Sequence, residues 1–358
     1  MTLPKKEADF KIIFALTLVH FIGDFYNAFV IPLLPIFITK FSLTLAQAGL
    51  IAGLSRFLAF VVQPPIGYLA DRYSTRLFVL CGPLLVIVFI SLSGIAPLFW
   101  LLLVFVCLGS IGSSMFHPAV AGMVGTYSGR HFGFNMSIFN MGGTLAFGAG
   151  PLCIAWVVEN FGLAATPWTM LPGLTAMVYL YLAVPIPEVE SFENKSMLGS
   201  IKEIFGPVWK PVILVWLVMV IRAFVSQSFL TYMPVLYSSE GYSLVSIGTM
   251  VSFFTVAGAV SGLLAGHLSK WVYSGAFFTG FFVLAAIPLG VAMVQKLAPR
   301  GRSMASSLMT GLAYGLGGLL TPLTGMLSDL FSIRTVLGVL ALIPLFTVGM
   351  ILFLPKDK

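Results

Sequence analysis

Long hydrophobic runs recur along the whole chain and constrain its fold more than any other feature. A helix needs about 20 apolar residues to cross a bilayer core of ~30 Å, and runs near that length predict eleven spans. They cover residues 12–38, 46–69, 77–95, 98–125, 132–157, 166–186, 211–237, 245–268, 274–297, 303–327 and 334–354. Strands of a membrane barrel are about half as long and alternate apolar with polar residues. The runs do not alternate, so the sequence predicts an all-α integral membrane protein.

Composition supports lipid as the solvent of this chain. Hydrophobic residues make up 59% of the 358 residues and charged residues only 9%, which is too apolar for a water-soluble globule. The net charge of +7 is explained by basic cytoplasmic loops, so we expect no nucleic-acid partner. The first apolar run lacks a small-residue cleavage site, and we expect it to be retained as a span. The three cysteines lie in apolar runs and predict no disulfide.

Residues that recur at constant offsets indicate an internal repeat. One offset of 199 relates Pro35, Gly49 and Gly67 to Pro234, Gly248 and Gly266. A second offset of 171 relates Gly150-Pro151 to Thr321-Pro322. The second half is therefore 28 residues shorter, which is about one span and a loop. We predict a twelve-span plan in two pseudo-symmetric halves, whose ninth span is absent near residues 270–274.

The distribution of basic residues gives the expected orientation and domains. If one span is absent at that position, nearly all Lys and Arg near span ends lie on one side, which the positive-inside rule makes the cytoplasm. We therefore expect a multi-pass protein of the inner (plasma) membrane with a cytoplasmic N-terminus. The predicted domains are a six-helix bundle at 1–186, a cytoplasmic linker at 187–210 and a five-span bundle at 211–358.

The first span carries the sharpest polar constellation in the sequence. His20, Asp24 and Asn27 are spaced by four and three residues, so they share one helical face. An ionisable residue at mid-membrane costs at least ~2.5 kcal/mol on insertion scales, which makes it a functional candidate. We predict that Asp24 and His20 carry protons. The alternatives are that Asp24 is a structural hydrogen-bonding residue and that His20 is a packed histidine bonded to a carbonyl.

Other polar residues within spans are candidates for substrate binding. Arg222 lies in the seventh span, the repeat partner of the first, and we expect it to face the same central cavity. A static ion pair between the two halves is the alternative for Arg222. The predicted substrate-binding residues are Arg222, His117, Asn140, Asn27 and Gln63. Arg56 lies toward the outer end of its span, and we expect its side chain to reach the headgroups as a structural residue.

Several classes of chemistry are not expected. The four histidines are scattered in sequence, so we predict no metal site. The chain has no phosphate-binding Gly-rich loop with a lysine, so we predict neither ATP nor another cofactor. No nucleophile, base and orienting group recur together as an enzyme requires, and we expect no catalytic activity. Coupling to an ion gradient is the remaining energy source.

The loop that joins the second and third spans carries a family resemblance. Residues 67–76 read Gly-Tyr-Leu-Ala-Asp-Arg-Tyr-Ser-Thr-Arg, which resembles the cytoplasmic loop signature of the major facilitator superfamily. Ser74 and Thr75 depart from it, since a glycine and a basic residue are usual there. The resemblance implies a helical bundle that works by alternating access. It implies a cytoplasmic gate formed by Asp71, Arg72, Arg76 and Arg130.

Within that superfamily the chain resembles the fosmidomycin-resistance group over nearly its whole length. The motifs that carry this likeness are His20 with Asp24, Gln63-Pro64, Gly112 to Pro118, Ser128 to His131, Gly142-Gly143 and Gly150 to Leu152. The resemblance implies export of a small anionic phosphonate antibiotic in exchange for protons. We expect a monomer whose partners are a small-molecule substrate, protons and the lipid bilayer.

Two alternatives to export are compatible with the sequence. The first is an uptake symporter or uniporter for an organic anion on the same fold. The second is a membrane-embedded enzyme or a receptor-like scaffold that does not transport. The fourth span lacks the arginine that many drug/proton antiporters of this superfamily carry, so coupling would depend on Asp24 and its histidine neighbours.

Overall fold

The computed structural model describes residues 8–66, 76–186, 205–268, 294, 307–344 and 346. Within these ranges the ordered elements are helices and no strand occurs. The α-helices are α1 (Phe10–Asn27), α2 (Val30–Phe41), α3 (Leu45–Val61), α4 (Leu77–Leu92), α5 (Phe99–Tyr127), α6 (Phe132–Phe161), α7 (Met170–Ala183), α8 (Trp209–Ser239), α9 (Leu244–Leu268), α10 (Ala313–Leu319), α11 (Thr321–Phe331) and α12 (Ile333–Leu340).

Six described helical segments are long and apolar enough to cross a membrane. They are Phe10–Phe41, Leu45–Ile66, Leu77–Ile95, Phe99–Tyr127, Phe134–Phe161 and Gly206–Ser239. These segments coincide with the first five predicted spans and the seventh. The prediction of an all-α membrane protein is therefore confirmed, while the predicted span at 274–297 lies outside the described residues apart from Val294.

Proline and short 3-10 or π segments divide some predicted spans. The predicted span 166–186 consists of a 3-10 segment, Leu163–Thr169, followed by α7. The predicted span 303–327 begins in the described region as a π-helix and is broken at Leu320, between α10 and α11. Pro322 lies in the first turn of α11, where a proline without an N–H is tolerated.

The chain forms two compact units that each take segments from both sequence halves. Unit 1 comprises Met1–Leu33, Val62–Ser191 and Tyr242–Ser252, and unit 2 comprises Leu34–Val61, Phe192–Gly241 and Phe253–Lys358. The division into bundles at 1–186 and 211–358 stays a prediction. Most of the predicted linker, residues 187–204, lies outside the described residues, and α8 begins at Trp209.

Helix α1 is the central helix of unit 1. It packs against α4, α5, α6 and α7. Ala15, Leu16 and Val19 are fully buried, as expected of a helix that is apolar around its circumference. Polar groups on α1 are consequently held among other helices rather than at the surface.

Unit 2 is built on close contacts between α3 and the pair α10 and α11. A Cβ atom added at Gly49 would lie 2.9 Å from the Pro322 Cα, so a glycine is required for this approach. Thr321 donates a hydrogen bond to the Gly49 carbonyl at 2.9 Å. The Tyr232 hydroxyl of α8 lies 3.0 Å from the carbonyl oxygens of both Leu45 and Thr321, which ties α8 to the same contact.

Unit 1 contains the repeat counterpart of this contact. A Cβ atom added at Gly248 of α9 would lie 2.7 Å from the Pro151 carbonyl oxygen of α6. Gly248 and Pro151 are the residues that the two predicted offsets relate to Gly49 and Pro322. Each unit therefore contains one glycine-to-proline helix contact in equivalent positions of the repeat.

A carboxylate at the end of one helix caps the start of another in each unit. Asp329 of α11 accepts hydrogen bonds from the Leu45 and Ala46 amides at 3.0 and 3.1 Å, at the start of α3. Glu159 of α6 accepts one from the Val245 amide at 2.7 Å, at the start of α9. The first amides of a helix lack intrahelical partners, and a negative charge there is favourable.

The Asp329 cap gives a stability prediction. Replacing Asp329 by Ala should lower the free energy of unfolding by ~1 kcal/mol, because two helix-start amides lose their acceptor. Glu240→Ala is the matched control, since Glu240 forms only an exposed ion pair with Arg334 and such pairs contribute ~0–1 kcal/mol. Thermal unfolding of the purified protein, followed by cysteine labelling, measures both. Equal effects of the two substitutions would contradict the capping role.

Candidate functional site

The polar face of α1 is buried inside unit 1. Asp24 is 2% exposed, and His20 and Asn27 are also buried. The three side chains predicted to share a face therefore lie together among helices, as their spacing requires. The Asn27 carbonyl oxygen Oδ1 has no hydrogen-bond partner among the described residues.

Asp24 lies between two histidine rings. His20 Nε2 is 3.1 Å from Asp24 Oδ2, and His117 Nε2 of α5 is 3.2 Å from Asp24 Oδ1. The contact to Oδ1 has an ion-pair distance but lacks hydrogen-bond alignment. We refer to His20, Asp24 and His117 as the His–Asp–His cluster. The sequence grouped His117 with the substrate residues, whereas the structure adds it to the carboxylate.

Backbone carbonyls fix the tautomer of both rings. His20 Nδ1 lies 2.9 Å from the Phe139 carbonyl oxygen, and His117 Nδ1 lies 2.7 Å from that of Ser113. A carbonyl oxygen only accepts hydrogen bonds, so each Nδ1 carries a hydrogen. Each Nε2 then faces a carboxylate oxygen of Asp24. Each nitrogen–oxygen contact is attractive only when a proton lies between the two atoms.

The cluster is thus arranged to hold a variable number of protons. When neither Nε2–carboxylate contact holds a proton, the formal charge of the cluster is −1. One proton makes the cluster neutral, and a second proton makes its charge +1. Proton binding consequently changes the charge at one buried position by up to two. Histidine is the side chain best suited to such exchange near neutral pH.

Close helix packing holds the cluster in place. A Cβ atom added at Gly143 of α6 would lie 2.6 Å from His20 Cε1 and 2.9 Å from Asp24 Oδ2, so only glycine fits there. Phe139 stacks on His20 at 4.1 Å between ring centres, and Phe116 stacks on His117 at 4.2 Å. In the sequence Gly143 was only part of a motif that carries the family resemblance, and the structure shows which polar groups it packs against.

The sequence predicts no metal site because its four histidines are scattered along the chain. For two of these histidines that reason is wrong. His20 and His117 are far apart in sequence, yet their ring centres are 5.1 Å apart. One ligand atom from each of them and one from Asp24 all lie within 4.8 Å of one another. The absence of a resident metal therefore stays a prediction.

The remaining predicted substrate residues lie apart from this cluster. Asn140 is exposed on α6, and Gln63 is partly exposed after α3. Arg222 is 6% exposed within unit 2, where its guanidinium carbon is 5.2 Å from the centre of the Tyr314 ring. Their roles in binding stay predictions.

The predicted cytoplasmic gate is only partly within the described residues. Asp71, Arg72 and the side chain of Arg130 lie outside them. Arg76 donates hydrogen bonds to the carbonyls of Tyr181 and Val184 at 2.8 and 2.9 Å, which ties the start of α4 to the end of α7. The described contacts of Arg76 are thus within unit 1, and its gating role stays a prediction.

Arg56 is the polar residue that the sequence misplaced. The expectation of a side chain reaching the headgroups is wrong, because Arg56 is only 8% exposed. Its stem packs on Gly318 of α10, where an added Cβ would lie 2.6 Å from the Arg56 Cβ. Arg56 lies eleven residues after the start of α3 rather than at the end of the helix, and this position is the signal that could have predicted its burial.

Two apolar cavities in unit 1 are separate from the cluster. One of about 900 Å³ is lined by residues that include Phe25 and Trp168, and one of about 710 Å³ includes Leu84 and Tyr181. Neither is lined by a member of the His–Asp–His cluster.

Known proteins with similar sequences are membrane transporters and resistance proteins. The fosmidomycin resistance protein of Escherichia coli is 26% identical, over 99% of this chain and 95% of that protein. The quinolone resistance protein NorA of Staphylococcus aureus is 28% identical, over 34% of this chain and 32% of that protein.

A solved structure with a similar fold and a match to the sequence pattern of a whole family point to the same kind of protein as these relatives. A bacterial homolog of the human lysosomal transporter Spinster, in an inward-facing and occupied conformation, superposes with a TM-score of 0.77 over 95% of both chains at 18% identity. Residues 16–275 match the Major Facilitator Superfamily. The chain therefore belongs to the Major Facilitator Superfamily, as its loop signature predicts.

Proposed function

We propose that this chain exports a small organic anion across a bacterial inner membrane in exchange for protons, by alternating access and with its N-terminus in the cytoplasm. The observation that carries the proposal is a carboxylate buried between two imidazoles in the central helix of unit 1. Because the chain belongs to a transporter family, we explain this cluster by transport rather than by catalysis.

Export is favoured by the relatives. Two of them are named for resistance to antibiotics, fosmidomycin and quinolones, and the fosmidomycin relative matches nearly the full chain. Removal of a toxic compound from the cell is the simplest way for a transporter to confer resistance. We therefore infer the outward direction and take fosmidomycin as the first substrate to test.

The distribution of acidic residues among the predicted spans favours proton coupling. Asp24 is the only carboxylate in the interior of any predicted span, whereas all other acidic residues lie at span ends or in loops. An intramembrane ionisable residue is costly and is usually retained for function. The two histidine contacts allow one proton to be shared between the Asp24 carboxylate and an imidazole, and in that state the cluster carries no net charge.

An anionic substrate is favoured by Arg222. A guanidinium keeps its charge at all physiological pH values and pairs well with carboxylate or phosphonate groups. Arg222 is buried on α8, so an anion that reaches it would meet a desolvated positive charge.

Asp24→Asn tests the coupling role. In everted membrane vesicles the variant should lose proton-driven accumulation of fosmidomycin, because an amide cannot exchange a proton at neutral pH. Exchange of labelled for unlabelled fosmidomycin, which needs no proton gradient, should persist. The measurement is uptake of radiolabelled fosmidomycin with and without an imposed acid interior.

Asp9→Asn is the matched control on the same helix. Asp9 caps the start of α1 by accepting from the Lys11 and Ile12 amides, and asparagine caps equally well. Full proton-driven accumulation by Asp24→Asn would refute the coupling role. If accumulation by the unmodified protein occurs only in right-side-out vesicles, the direction is uptake and the export proposal is wrong.

We further propose that the full transporter has twelve spans and that the ninth is missing from this sequence. The alignment with the Escherichia coli relative extends over 390 positions, more than the 358 residues of this chain, so the relative has residues that this chain lacks. Intact mass spectrometry of the protein purified from its native host distinguishes the cases. A mass of 38.6 kDa means a true deletion, and a larger mass means that the span is present.

A further inference from the structure

The cavity of about 710 Å³ in unit 1 is a groove that runs between α4 and α7. On α4 it is lined at spacings of three, four and seven residues, by Leu77, Leu80, Cys81 and Leu84. On α7 it is lined at the same spacings, from Leu174 to Tyr181. These spacings place each set on one helical face, and seven residues extend about 10 Å along a helix. The groove therefore follows the axes of the two helices.

The groove opens toward the bilayer. Leu84 and Val178, which line it on either side, are both exposed at the surface of the chain. They lie within the predicted spans 77–95 and 166–186, where an exposed side chain meets hydrocarbon. An apolar groove offers water no hydrogen-bond partners, so water does not fill it favourably. A hydrocarbon chain is the occupant that matches both the lining and the surroundings.

Arg76 lies at the end of the groove where α4 begins and α7 ends. Its Nη1 donates hydrogen bonds to the carbonyls of Tyr181 and Val184, and its guanidinium carbon is 4.9 Å from the centre of the Tyr181 ring. The two carbonyls use both hydrogens of Nη1. The three N–H groups on Nη2 and Nε have no acceptor among the described residues. The guanidinium is thus held in place with donors still available.

The position of Arg76 along the membrane normal is that of the lipid headgroups. Arg76 directly precedes the apolar segment Leu77–Ile95. The N-terminus of α4 lies at the same place, and its partial positive charge also favours an anion. The phosphate of a phospholipid is an anion found at this level, and its acyl chains extend from there into the hydrocarbon. A phosphate at Arg76 and a chain in the groove can therefore belong to one molecule.

We propose that this groove binds one acyl chain of an anionic phospholipid and that Arg76 binds the headgroup phosphate. A guanidinium can donate two parallel hydrogen bonds to phosphate oxygens. A headgroup with a net negative charge is preferred over a zwitterionic one, because the cation of a zwitterion opposes the attraction to Arg76. In the orientation that the basic residues predict, the lipid lies in the cytoplasmic leaflet. The bound lipid connects α4 and α7 and does not depend on the proposed transport function.

Photolabelling of the purified full chain in detergent tests this site. The probe is a phosphatidylglycerol with a diazirine partway along one acyl chain, and peptide mass spectrometry locates the attached lipid. Label should concentrate on the stretches of α4 and α7 that line the groove. Unlabelled phosphatidylglycerol should compete at a concentration about fivefold lower than phosphatidylcholine with the same chains, as expected for one basic residue that faces an anionic headgroup.

Two variants separate the headgroup contact from the groove. Arg76→Gln should remove the preference for phosphatidylglycerol while the groove is still labelled. Val178→Trp places a large side chain in the groove without altering Arg76, and it should lower the labelling of α4 and α7 several-fold.

Each variant has a matched control. Lys210→Gln removes an exposed basic residue at the start of α8, outside the groove, and should keep the full headgroup preference. Val104→Trp makes the same exchange as Val178→Trp at an exposed position of α5, and should leave the labelling of the groove unchanged.

Three results would overturn the lipid site. The first is equal competition by phosphatidylglycerol and phosphatidylcholine on the unmodified protein. The second is label that is spread evenly over the exposed helices and is unaffected by Val178→Trp, which means surrounding lipid only. The third is displacement of the probe by inorganic phosphate at constant ionic strength, which means a site for a free anion. If Arg76→Gln does not fold, the lipid comparison and the Val178→Trp pair still decide the question.

Discussion

A carboxylate held between two imidazoles in the membrane interior is the interaction on which the rest of this account depends. Asp24 is stable there because His20 and His117 each bring a nitrogen within about 3 Å, and because backbone carbonyls hold both rings in the required tautomer. Gly143 lets α6 approach closely enough to enclose the group. The same contacts that stabilise the buried carboxylate also allow its charge to change, which is what the proposed proton coupling requires.

The internal repeat supplies the framework around this group. Gly49 meets Pro322 in unit 2 as Gly248 meets Pro151 in unit 1, and in each unit a carboxylate at a helix end caps the start of α3 or α9. Such contacts depend on small residues and backbone groups, so they can form and separate without a large loss of buried apolar surface. That property suits the alternating access that we propose for this transporter.

Much of the fold could be predicted from the sequence, because the bilayer determines both the length of the hydrophobic runs and the side on which basic residues collect. Asp24, His20 and Asn27 could be grouped because they are neighbours on one helix. His117 could not be added, since its contact with Asp24 depends on how α5 packs against α1, which no local pattern encodes. The break at Leu320 and the burial of Arg56 were missed for the same reason: both depend on packing around α10.

We propose that the His–Asp–His cluster binds and releases the protons that are exchanged for substrate. This proposal is tested most directly by counting protons when fosmidomycin is added to the purified protein in weakly buffered solution, with a pH indicator dye. In an exchanger the substrate-bound form must hold fewer protons, so the unmodified protein should release protons and His20→Gln/His117→Gln should release fewer. Proton uptake on substrate addition, or release that is unchanged when both histidines are replaced, would contradict the account.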